Sequence, residues 1–201
     1  SVEGGSFFDE NLSENLKKAV YLEQNYIRFL SLTYNVGSKL CAGAQSKNDS
    51  GMSRLGFDTA FLLCGHGIAM DLSHLSHNSA ADILNADMPA LATHSNCFSL
   101  CDSPRNLKDS AILHLIEKNA LMGLNLYAPF IKRGGHVSVT DLYRHIEHIR
   151  ALGGENILAL GADFDGCDSF PAGINDVSDI KMLDIPHGLF YNNVKRFLNS
   201  L

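Results

Sequence analysis

The sequence predicts an α/β fold built on parallel strands. Three features carry that expectation: short apolar runs rich in β-formers alternate with amphipathic stretches, the runs are nearly continuously apolar, and the intervening segments are as long as crossover helices. Strands of that kind suit a sheet covered on both faces. The chain has 201 residues, 45% hydrophobic and 19% charged, an ordinary globular composition. A domain of this size buries roughly 70% of its unfolded surface, so residues 1–201 are read as one domain with a core.

Taken in order, Val2 is the stub of a first strand, followed by a helical pattern from Leu12 to Gln24. The run Ile27 to Thr33 comes next, then a helix over Ser53 to Gly65. Gly67 to Leu72 and Pro89 to Thr93 are strands flanking a helix over Asn78 to Asn85. Lys108 to Asn119 is helical, and Leu121 to Leu126 is extended. The clearest helix runs from Ser138 to Leu152. Val139, Leu142, Tyr143, Ile146, Ile149 and Leu152 recur at three- and four-residue steps, while Arg144, Glu147 and Arg150 face elsewhere. Ser138 and Asp141 open it as a capping pair, and Gly153-Gly154 closes it. Ile157 to Gly161 is the last strand.

Composition also excludes some functions. The formal net charge is -6, and no basic run is longer than Lys17-Lys18 or Lys132-Arg133, so a nucleic-acid partner is not expected. Five cysteines form no C-x-x-C pair and read as reduced thiols, although Cys97 and Cys101 could share a helical face. No apolar stretch reaches the length of a membrane span and no leader opens the chain, so a cytoplasmic protein without a membrane segment is expected. The first residues, Ser1 to Gly5, lack an initiator Met, consistent with a fragment.

Parallel strands could close into a barrel or form a doubly wound sheet. No glycine-rich phosphate loop follows any strand, since Gly4-Gly5 and Gly134-Gly135 lack the dinucleotide spacing. Polar residues, however, end nearly every run: Glu3, Tyr34, His74, His94, Asn125 with Tyr127, and Asp163. In a barrel all these ends open onto one face, where loops build the active site.

His74 and His94 each end a strand that runs into a loop, where neutral imidazoles can hold Zn²⁺; satisfied histidines at a barrel mouth are the plain alternative. Glu3 could add a carboxylate bridging two metals, or simply be solvated. Of the two acids around Phe164, Asp163 lies nearer the strand end and faces the site or caps the loop. Arg105, just before a helix, could clamp a carboxylate with both prongs or be a surface arginine. His145 and His148 sit mid-helix and read as outer-ring residues, and His77 as the start of a helix.

Seven ordered segments resemble the renal (membrane) dipeptidases, a family of zinc metallopeptidases. They are Val2-Glu3-Gly4-Gly5, Phe29 to Thr33, Asp71-Leu72-Ser73-His74, Thr93-His94-Ser95-Asn96, Pro104-Arg105-Asn106-Leu107, Gly161 to Gly166 and Asp176-Val177-Ser178-Asp179. The resemblance implies a (β/α)8 TIM barrel of the metal-dependent hydrolase type. It would be incomplete here, with about six βα units and the first strands missing, so that 1–201 is the C-terminal portion of the catalytic domain. It implies two zinc ions, with Glu3 bridging them and His74 and His94 holding the second. Arg105 would bind the carboxylate of a dipeptide, and Asp163 its amino group, with proton transfer to the departing amine. The nucleophile would be a metal-activated water.

Three departures stand out. The His-x-Asp pair that ligates the first zinc in the family is absent from this chain. Tyr34 stands where many members have a substrate-binding histidine, and its phenol can donate a hydrogen bond. The segment from Ile180 to Tyr191 is shorter than the family's usual connection before Asn193-x-x-Arg196. The expected activity is zinc-dependent hydrolysis of dipeptides, with a homodimer compatible with it. The alternatives are a barrel without competent metal ligation that serves as a binding or scaffold protein, and another metal-dependent barrel amidohydrolase acting on lactones, amides or phosphoesters.

Overall fold

A computed structural model describes residues 1–200; Leu201, the last residue of the expected domain, lies outside the described residues. The chain divides into two units, 1–91 and 92–200.

In the first unit, strands β1 (Val2–Glu3), β2 (Phe29–Ser31), β3 (Ala69–Asp71) and β4 (Ala90–Leu91) form a parallel sheet in that order. The register pairs Val2 with Leu30, Phe29 with Ala69 and Met70 with Ala90. Helices α1 (Leu12–Gln24), α2 (Arg54–Gly65) and α3 (His77–Asn85) make the crossovers. Parallel strands need such connections, and these put apolar faces against the sheet. Leu30, Leu63, Ile68, Met70, Ile83 and Leu91 are fully buried there. Each helix starts on a side-chain cap. Asn11 accepts from the Ser13 and Glu14 amides, Ser53 from Gly56, and Ser76 from Ser79. Gly56 is required by packing, because a Cβ there would run into the Leu40 carbonyl.

In the second unit, β5 (Met122–Leu124) and β6 (Leu158–Leu160) pair in parallel, Met122 opposite Leu158. Ala92 bridges Met122 in the same sense. Helices α4 (Asp109–Glu117), α5 (Ala128–Ile131), α6 (Val139–Ala151) and α7 (His187–Leu198) accompany them, with 3₁₀ turns at Glu155–Ile157 and Val177–Met182. The Asp141 carboxylate accepts from the Ser138 amide at 3.0 Å, completing the expected capping box. Gly153, past the end of α6, takes a φ of +90°, which glycine adopts without strain.

Asn193 and Arg196 of α7 act as a structural clamp. The Asn193 amide donates to the carbonyls of Glu155 (3.0 Å) and Leu158 (2.8 Å). The Arg196 guanidinium donates to those of Asn119 (2.6 Å), Ala120 (3.2 Å) and Asn156 (2.9 Å). Together they satisfy carbonyls on both sides of the β5–β6 pair that no ladder reaches.

The ladders are shorter than the apolar runs suggested. Past Asp71 the chain turns at once, because the Asp71 carboxylate accepts from the Ser73 amide (3.1 Å) and hydroxyl (2.7 Å). After β2, the Ser31 hydroxyl similarly donates to the Thr33 carbonyl at 2.8 Å.

Candidate functional site

The candidate side chains follow a common offset. Tyr34, His74, His94 and Asp163 each lie three residues beyond the last residue of β2, β3, β4 and β6, while Glu3 is itself the last residue of β1. Tyr34, His74 and Asp163 therefore sit just past the ladder, whereas the segment around His94 still bonds its neighbour through backbone groups.

In the first unit, Glu3 and His74 come together. His74 Nε2 lies 2.6 Å from Glu3 Oε1, with the imidazole side chain 3% exposed and the carboxylate 45%. On its other edge, His74 Nδ1 lies 3.0 Å from Asn35 Oδ1. The Tyr34 ring stacks on the imidazole at 4.5 Å and 26°. Tyr34 is half exposed, leaving its far face to solvent.

In the second unit, residues 92–95 run beside β5. Gly123 donates to the Ala92 carbonyl and Ser95 to the Gly123 carbonyl, both at 2.8 Å. His94 is buried, with its Nδ1 2.8 Å from the Thr93 hydroxyl. The approach depends on two glycines, since a Cβ at Gly123 or Gly161 would collide with the Thr93 carbonyl.

Asp163 stands at φ +62°, a left-handed conformation that costs an L-residue roughly 1–2 kcal/mol. Its Oδ2 accepts from the Asn125 amide at 3.1 Å and lies 3.3 Å from Cys167 Sγ. Gly166 leaves room for this carboxylate, which a Cβ there would overlap. Burial pushes the Cys167 thiol up to about 12, with the Asp163 charge raising it further and Arg105 pulling it down. Arg105 is thus close enough to act on the same thiol. The residue is 6% exposed and its guanidinium packs on the Phe130 ring at 5.2 Å, so it is a fixed group rather than a surface arginine. Nearby, burial and the hydrogen-bonded Asp168 raise the Tyr127 phenol.

Three other histidines make contacts within the fold. His145 is buried and bonded to the backbone through both nitrogens. His148 pairs with Asp109 at 3.0 Å and His66 with Glu23 at 2.7 Å. All five cysteines are free thiols, as their sequence context suggested. Asn35, Thr93 and Cys167 touch candidate residues yet were not singled out from sequence. Applying the strand-end offset with a tolerance of one residue would have reached Asn35.

A parallel α/β chain with imidazole and carboxylate groups just past its strand ends defines a protein of the TIM-barrel-like amidohydrolase fold class. The comparisons make the assignment specific. The family model described as membrane dipeptidase (peptidase family M19) matches residues 1–184, and the chain belongs to that family. It is 31% identical over 159 residues to an uncharacterized dipeptidase of Schizosaccharomyces pombe, covering 76% of this chain and 38% of that protein. Among solved structures, it resembles a metallopeptidase from Rhodobacter sphaeroides liganded with a phosphinate mimic of the dipeptide L-Ala-D-Ala. The TM-score there is 0.79 at 25% identity, over 90% of this chain and 58% of that one. The probable dipeptidase PvdM from Pseudomonas aeruginosa shares the fold, with a TM-score of 0.81 at 15% identity, covering 92% and 65%. The chain thus spans less than two thirds of the length of these relatives. No described helix is long and apolar enough to cross a membrane.

A metallopeptidase family implies a metal, and the first unit fits one. With Nδ1 directed at the Asn35 side-chain oxygen Oδ1, an acceptor, the Nε2 lone pair of His74 meets a Glu3 oxygen at 2.6 Å. Two facing acceptors at that distance require a proton or a cation between them. Carboxylate oxygen and imidazole nitrogen are also the donor types that zinc takes.

Proposed function

We propose that this chain is the C-terminal portion, residues 1–201, of the barrel domain of a zinc-dependent dipeptidase. The observation that carries the reading is the meeting of Glu3 and His74, 71 residues apart in sequence, at 2.6 Å near the ends of two parallel strands. Glu3, His74 and His94 would hold the metal. When bound, zinc supplies a nucleophile at neutral pH by acidifying water, and it polarises the scissile carbonyl. The reading expects two zinc ions, one of them ligated by a His-x-Asp pair that this chain does not contain.

The remaining roles follow from the charges. The buried Arg105 guanidinium, immobilised against Phe130, pairs with the substrate's terminal carboxylate in two-pronged fashion. Asp163, its carboxylate fixed by Asn125, meets the free amino group, takes up the proton released by the attacking water and passes it to the departing amine. Tyr34 offers its phenol to the substrate carbonyl. A cation for one end of the substrate and an anion for the other measure its length and favour dipeptides. The dipeptide mimic bound by the Rhodobacter relative supports that substrate class.

The test is metal analysis of the full-length protein, coupled to dipeptide hydrolysis with and without chelator. Zinc content and turnover should both be lost in His74→Ala and His94→Ala. Variants that keep full metal and full turnover would sink the assignment. A wild-type protein with neither would point to the scaffold reading.

A further inference from the structure

The contacts around His74 go beyond the ligand set. We propose that Asn35 is a positioning residue that fixes which nitrogen of His74 faces the metal; the inference rests on the metal site proposed above.

An imidazole can offer either ring nitrogen to a cation. The choice is made by the hydrogen bond at the other nitrogen, and an oxygen acceptor there holds the proton on that side. Asn35 Oδ1, 3.0 Å from Nδ1, is such an acceptor, and it turns the Nε2 lone pair toward Glu3. The Asn35 backbone is itself held. Its carbonyl accepts from the Gln45 amide at 2.7 Å, and the Ala44 amide donates to the His74 carbonyl at 2.9 Å. One short segment thus ties the backbones of both partners to a common frame. Gly43 permits this, because a Cβ there would run into the Asn35 carbonyl. Tyr34 completes the arrangement by covering one face of the ring. Amide on the edge and phenol on the face together leave the imidazole a single orientation. Such support is commonly worth 10- to 100-fold in metal affinity.

The experiment measures zinc affinity of the full-length protein by chelator competition, comparing wild type with Asn35→Leu, Asn35→Asp and Tyr34→Phe. Asn35→Leu, close in size but without an acceptor, should weaken zinc binding by about 10- to 100-fold. Asn35→Asp, which keeps an oxygen in place, should bind within about threefold of wild type, as should Tyr34→Phe, which keeps the stacked ring. Zinc affinity of Asn35→Leu within about twofold of wild type overturns the inference while leaving the metal site intact. Imidazole ¹⁵N spectra of the zinc-loaded wild type give a readout independent of any variant's folding. They should show His74 protonated at Nδ1, and a proton on Nε2 overturns the inference directly. A wild-type protein that binds no zinc overturns the metal reading and this inference with it.

Discussion

His145 should be a pH-sensitive element of the second unit's stability. The imidazole is buried, its Nδ1 accepts from the Cys97 amide at 3.1 Å, and its Nε2–H donates to the Ile131 carbonyl at 2.9 Å. It therefore fastens α6 to the segment following His94 and to the end of α5. Burial holds its pKa below the usual 6.5, and the neighbouring His148 lowers it further, against opposing contributions from the Ile131 carbonyl and Asp141. Protonation would also forfeit the Cys97 bond, because Nδ1 could no longer accept. The neutral ring is thus favoured in the fold. Below pH 6.5 the unfolded chain binds the extra proton, so this stability is complete above 6.5 and is lost as pH falls toward the folded value. The slope is at most about 1.4 kcal/mol per pH unit. His145→Leu removes the titration and orphans two buried backbone groups at about 1–3 kcal/mol each, a loss of about 2–6 kcal/mol at pH 8. Urea unfolding at pH 8 and pH 5.5 measures both effects. The variant should start lower and decline less toward acid than wild type. Parallel losses in the two proteins would refute the reasoning.

Gly161→Ala should cost about 1–3 kcal/mol by overpacking, since the new methyl meets the Thr93 carbonyl and approaches the His94 Cα at 3.1 Å; thermal unfolding and zinc competition should both report it. Cys167, with its thiol pushed up to about 12, should resist iodoacetamide at pH 8 in the folded protein and react once unfolded, as mass spectrometry of the alkylated peptides would reveal. Arg196→Met should destabilise by about 2–4 kcal/mol in urea titration, because the carbonyls of Asn119, Ala120 and Asn156 lose a charged donor.

The sequence was most informative where burial imposes a period. Among the described residues, five of the six strands lie inside the apolar runs, the sixth starts at the Val2 stub, and α1 has the limits its pattern suggested. The caps were legible at α6 because the Ser138–Asp141 exchange is local. What escaped was short or held by distant partners. Helix α5 has only four residues, too few to display a period. Helix α7 buries Phe190, Asn193 and Phe197 at helical steps, but its middle anchor is an amide whose carbonyl partners lie 35 and 38 residues away. Motif similarity singled out Glu3 and His74, which meet at 2.6 Å. The strand-end offset reaches Asn35 as a neighbouring position, but its contact with the imidazole edge depends on how residues 43–45 fold back. The Cys167 contact with Asp163 was hidden for the same reason: it is made by a turn at positive φ, not by strand geometry.

The recurring three-residue gap between strand end and candidate side chain separates two kinds of selection. Backbone hydrogen bonds between strands end at positions such as Ser31 and Leu72, so exchanging Tyr34 for another aromatic or a polar group breaks none of them. Side chains at positions like that of Tyr34 can change at little thermodynamic risk. The exceptions are places where glycine admits a neighbouring carbonyl, as at Gly123 and Gly161. There, chemistry and architecture share the same few ångströms, and change is confined.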